Sequence, residues 1–122
     1  MRRGRFLRLV ERALASVPEP FSRMLENVDL VVEARPSRRV LRENGMEPGE
    51  TLFGLYEGIP LTERGSDYGL VLPDKITIFQ EPLEYEFPDE AELVEEVRET
   101  VIHELAHFFG ISDEELHRMG HS

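Results

Sequence analysis

Residues 103–113 read HELAHFFGISD. Two histidines stand four residues apart, with a glutamate directly after the first. On a helix, side chains at i and i+4 lie one above the other, so both imidazoles reach one ion at about 2.0–2.1 Å. Glu104 lies on the same side, one residue round. It misses the ion from there but reaches a water beside it, which is the placement a general base needs. A zinc ion so held lowers the pKa of water toward about 7 and polarises a carbonyl. These residue types at this spacing point to metal-assisted hydrolysis.

A third ligand must come from nearby. Gly110 permits positive φ, so the chain can leave the helix in a left-handed turn and return Asp113 to the ion. Two histidines and a carboxylate leave one position open, as a catalytic zinc requires. Ser112 to Glu115 also fit the capping box S-x-x-E, which would start another helix. Capping by Ser112 and ligation by Asp113 are compatible. His117 is the next candidate ligand, and His121 follows it.

The motif needs a helix to hold it. Val94, Val97, Val101, Leu105 and Phe108 recur at spacings of three and four, which predicts one apolar stripe. Thr100, His103, Glu104 and His107 form a second, polar stripe. A helix from about Asp89 to Phe109 can therefore bury one side and turn the other to a cleft. A short helix over about 113–119 follows.

Upstream, Phe6, Leu7, Val10, Ala13, Leu14 and Val17 predict an amphipathic first helix, ended by Pro18 and Pro20. A short helix over 21–28, a strand over 28–34 and a short helix closed by Gly45 come next. Residues 51–60 read as a strand whose glycines suggest a bend or an edge. Residues 61–69 read as a loop. Residues 75–82 are the clearest strand, closed by Pro82, and 83–90 read as a loop. Helices, strands and then a motif helix give the class α+β.

At 122 residues the chain is expected to form one domain, residues 1–122. Without cysteine there is no disulfide, thiolate site or cysteine nucleophile. No apolar run has membrane-spanning length, and Arg8, Glu11 and Arg12 break the N-terminal apolar segment, so a secretory signal is rejected. A cytoplasmic protein without membrane partners is expected. Residues 1–42 carry ten arginines and five acids, a net of +5, and the remainder carries four bases and twenty acids, a net of −16, which together give −11. The two halves are expected to attract each other. A pI near 4.8 makes nucleic acid an unlikely partner.

HELAHFFGISD fits the pattern HExxHxxGxxD. In this it resembles the aspartate form of the extended metzincin motif, and more specifically the short bacterial zincin-like metallopeptidases. The resemblance implies a minimal zincin-like fold, a small mixed sheet packed on helices. It implies His103, His107 and Asp113 as zinc ligands, Glu104 as base and Gly110 as the turn. The expected substrate is then a peptide or protein, which could pair with an exposed edge strand at 52–58 or 76–80. Full metzincins carry a C-terminal subdomain with a methionine-containing turn, whereas Glu114 to Ser122 are all that follow here. Met119 could stand in for that methionine, but is expected to pack the last helix. This departure motivates a rival reading, a zincin-like metal-binding protein without turnover. A nucleic-acid-acting metalloprotein and a metal-free structural module are further alternatives.

Overall fold

The computed structural model describes residues 1–58 and 74–121. Helix α1 (Arg3–Ala15) is followed by a short α2 (Phe21–Met24), a 3-10 turn (Leu25–Asn27) and strand β1 (Val28–Glu33). Then come α3 (Arg38–Glu43), β2 (Gly54–Glu57), β3 (Asp74–Phe79), α4 (Gln80–Glu86), the long α5 (Glu90–Phe108) and α6 (Asp113–Arg118). The architecture is mixed α and β, as the element order predicted. The predicted loop at 61–69 and the end of the strand at 59–60 lie outside the described residues.

The sheet has the order β1-β3-β2. β1 runs parallel to β3, with Leu30 opposite Ile76, and β2 runs antiparallel to it, with Tyr56 opposite Ile76. β3 is therefore central, and both of its faces are covered. Ile76 and Ile78 are fully buried on one face, and Thr77 and Phe79 are buried on the other. This corrects the expectation that 76–80 could serve as an exposed edge. Among the described residues, β2 is the edge strand of the sheet beside the motif helix.

The core lies between the sheet and two helices. Phe6, Leu9, Val10 and Ala13 of α1 pack with Leu93, Val97, Val101, Ile102, Leu105 and Ala106 of α5, and with Ile76 and Ile78. The periodicity located both stripes but not their full width. Leu7 is 40% exposed and Leu9 takes the buried position. Phe108 is 48% exposed, although its spacing placed it on the apolar stripe.

α5 begins where the Asp89 side chain accepts from Glu92 N at 3.1 Å. Glu90 and Glu92 add negative charge at the positive end of the helix dipole. The expected loop at 83–90 is in part α4, which starts as soon as β3 ends at Phe79. Pro82 lies in its first turn, where the backbone N–H needs no helical partner, so it does not close the strand. Burial of Leu83 then fixes the helix to the core.

The charge asymmetry appears as pairs between the two halves. Arg5 reaches Glu90 at 2.9 Å, Arg12 reaches Glu90 at 3.7 Å, and Arg35 reaches Glu81 at 2.7 Å. These pairs are solvent-exposed, so each contributes at most about 1 kcal/mol. Burial of the apolar stripes dominates the packing. Among the described residues, no helix is long and apolar enough to cross a membrane.

Candidate metal centre

The polar stripe of α5 faces away from the core. Its last turn closes as expected: Gly110 takes φ 77°, Gly110 N donates to His107 O at 3.2 Å, and Ile111 N donates to Ala106 O at 2.8 Å. This is a Schellman closure, with the glycine in the left-handed position. Ile111 packs against the core, and Ser112 starts α6 with both halves of a capping box. Fully buried Leu116 fixes α6 in place. The turn and the cap together return Asp113 to the motif helix.

Asp113 Oδ1 lies 3.1 Å from His107 Nε2. Ligand atoms of His103, His107 and Asp113 all lie within 4.8 Å of one another. Donors on a tetrahedral zinc at about 2.0–2.2 Å are roughly 3.4 Å apart. The His107–Asp113 pair already has nearly that spacing, and a ring nitrogen of His103 lies within 4.8 Å of both. The residues therefore fit a zinc ion, by donor type and by spacing. His107 and Asp113 are exposed, with side chains 57% and 81% accessible, so an ion there would be open to a substrate.

The other candidates fall outside this group. His117 is exposed on α6 and contributes no atom to it. His121 packs its ring edge-on to Phe21 and lies 3.8 Å from Glu99. Met119, expected to pack the last helix, is 43% exposed at its C-terminal cap.

Glu104 is held from the opposite wall. Its Oε1 accepts from Tyr56 N at 2.8 Å, on the side of β2 away from β3. Burial raises its carboxyl above the ordinary range, while the Tyr56 N–H and then His107 and His103 pull it down. A carboxylate partly stripped of water, with its proton affinity raised, suits the uptake of a proton from water near neutral pH.

β2 comes this close because position 54 has no side chain. A Cβ on Gly54 would lie 2.7 Å from Thr100 Cγ2 and 3.2 Å from Thr77 O. Gly54 and Tyr56 are two apart on a strand, and Thr100 and Glu104 are four apart on the helix. Each pair advances about 6–7 Å, so the two contacts stay in step. The sequence reading named neither Gly54 nor Tyr56 as site residues. The signal was present in 51–60, where a glycine inside a strand marks close approach of another backbone or helix.

Two cavities open on either side of Glu104. One, of about 340 Å³, includes Thr51, Glu96, Glu99, Thr100 and His103 in its lining. The other, of about 350 Å³, includes Met46, Leu55, Tyr56, His107 and Phe108. Leu52, Gly54 and Glu104 belong to both.

The profile of the zincin-like metallopeptidases matches residues 25–121, and the chain belongs to that family. A comparison with curated proteins gave no match. Among solved structures, the chain is similar to a conserved hypothetical protein from T. thermophilus. The two share 32% identity over 88% of this chain and 92% of the other, with a TM-score of 0.53. The family implies a bound metal ion, typically zinc, and among the described residues His103, His107 and Asp113 form a group that could hold one.

Proposed function

We propose that this chain is a zinc-dependent peptidase acting from the cleft between β2 and the polar face of α5. The observation that carries the proposal is the convergence of His103, His107 and Asp113 beside a glutamate held by the neighbouring strand. Bound there, zinc supplies Lewis-acid polarisation of the scissile carbonyl and acidifies water.

The side chains of the chain do the rest. Glu104 takes the proton from the attacking water and later delivers it to the leaving amine, which balances proton transfer across the cycle. Its hydrogen bond from Tyr56 fixes the carboxylate while leaving Oε2 for the water. An extended peptide lying in the cleft between β2 and α5 would pass over Glu104 and His107. The single chain is proposed to act as one domain on peptide or protein substrates in the cytoplasm.

Metal analysis and peptide hydrolysis together test this reading. Protein purified without added zinc should contain close to one zinc per chain, and His103→Ala with His107→Ala should remove most of it. Hydrolysis of a mixed peptide pool should stop with a chelator and return with zinc. Near-stoichiometric zinc in the double variant would sink the metal assignment. Full zinc with no cleavage of any peptide would favour a metal-binding role without turnover.

A further inference from the structure

We propose that His121 is a positioning residue for the metal centre: its ring latches α6 to the core, and α6 in turn holds Asp113 against His107. This rests on the metal assignment in the reading above. Spacing made His121 a candidate ligand, but it lies outside the metal group. Its side chain is nonetheless only 16% accessible, against 57% for His107 and 81% for Asp113. Covering a polar ring costs hydration and freedom, so its contacts must offset that.

The end of α6 delivers the ring to its place. Gly120 takes φ 93°, Gly120 N donates to His117 O at 3.0 Å, and His121 N donates to Leu116 O at 2.9 Å. This is the closure already seen after α5. In it the residue following the glycine commonly makes an apolar contact beside the helix. After α5 that residue is Ile111, which packs against the core. After α6 it is His121. Its ring meets fully buried Phe21 of α2 edge-on, with centroids 5.7 Å apart and planes 87° from parallel. An aromatic pair in that geometry gains more than the area it covers. Nδ1 also comes within 3.8 Å of Glu99 Oε1 on α5, too far for a hydrogen bond but close enough for charge attraction. The stacked edge on Phe21 is the anchor, and Glu99 is a lesser contact.

Asp113 is at the other end of this helix. α6 has six residues, fewer than two turns, and a helix that short has little stability of its own. The Gly110 turn and the Ser112 cap fix the path of the chain into α6. The direction in which α6 then runs depends on what it touches. Buried Leu116 is one attachment, about which a short rod can still pivot. His121 supplies the second. The Asp113 carboxylate is exposed and meets His107 at 3.1 Å, so the helix that carries it does most to place it. Metal ligands must lie within about 0.2 Å of their ideal distances. Slack at the His121 end of α6 therefore becomes lost affinity at the Asp113 end.

The test is a double-mutant cycle read in zinc affinity. Zinc is titrated against a competing chelator in wild type, His121→Ala, His121→Phe, Asp113→Ala and the variant carrying both alanine substitutions. His121→Ala should bind zinc about tenfold more weakly, the lower end of what losing support for a ligand costs. His121→Phe keeps a ring for Phe21 and should retain wild-type affinity. In the Asp113→Ala background, His121→Ala should change affinity by less than about twofold, because the ligand it positions is already gone. A general loosening of the fold would instead weaken zinc equally in both backgrounds, and that result overturns the proposal. Unchanged affinity in His121→Ala overturns it too, as does His121→Phe binding as weakly as His121→Ala. Each of these leaves the metal centre standing. Wild type that takes up no zinc sinks the metal centre, and the latch with it.

Discussion

Tyr56 N donates to Glu104 Oε1 at 2.8 Å, although the two residues are 48 apart in the chain. The outer strand of the sheet is thus joined to the carboxylate beside the metal group. In the proposed peptidase, substrate binding along β2 and proton transfer at Glu104 would share one frame. A shift of β2 would move both the peptide track and the base.

Glu104→Gln separates the base from the ligands. Glutamine keeps an oxygen for the Tyr56 N–H but loses the basic carboxylate. Zinc content should match wild type, while hydrolysis falls by about 10² or more. Zinc lost along with activity would reassign Glu104 to the metal.

The same substitution carries a pH signature in metal-free protein. Burial raises the Glu104 carboxyl above its ordinary value of 4.5. The native state then holds the proton more tightly than the unfolded chain. Ionisation therefore costs stability as pH rises from that ordinary value through the raised one. At pH 7 the metal-free glutamine variant should melt no lower than wild type. Below 4.5, where wild type is also protonated, any advantage should vanish. A variant advantage that grows on acidification contradicts this assignment.

Asp113 and Ser112 are neighbours with separable roles. Ser112→Ala removes the helix cap and should cost about 1 kcal/mol of stability with zinc affinity retained. Asp113→Ala should weaken zinc binding in competition with a chelator. The melting gain from added zinc should shrink with it. Unchanged affinity in Asp113→Ala would move the third position to His117 or to water.

Gly54→Ala tests the packing of β2 on α5. The new Cβ would meet Thr100 Cγ2 at 2.7 Å and should cost about 1–3 kcal/mol in chemical denaturation. Thr100→Ser deletes that methyl and should restore part of the loss, the remainder coming from Thr77 O at 3.2 Å. A double variant no more stable than Gly54→Ala alone would show that Thr100 is not the obstacle.

Phe6→Ala tests whether α1 is integral to the fold. Phe6 is fully buried in the cluster that backs α5. Its truncation should cost about 3–5 kcal/mol. A loss under about 1 kcal/mol, read from the same denaturation curves, would mean that α1 is an appendage.

Much of this molecule follows from local sequence. The helical spacing from Val94 to Leu105, the left-handed turn at Gly110 and the Ser112 cap each depend on residues within a turn or two. Steric and hydrogen-bonding rules act at that range, so HELAHFFGISD alone brings His103, His107 and Asp113 near one point. The sequence also marked residues 51–60 and 75–82 as strands, because their side chains suit a pleated, buried surface, although β3 ends at Phe79. Tertiary structure decided what no local rule reaches. Periodicity gives the angle of Phe108 around its helix, but not that the core has already ended there; the Tyr56 ring and the space beside Gly58 complete its surroundings. β-propensity does not set strand order, so only pairing on both sides made β3 central and left β2 beside the metal group. The hold of Tyr56 on Glu104 needed both that strand order and the missing side chain at Gly54, which together bring distant backbone within hydrogen-bonding range.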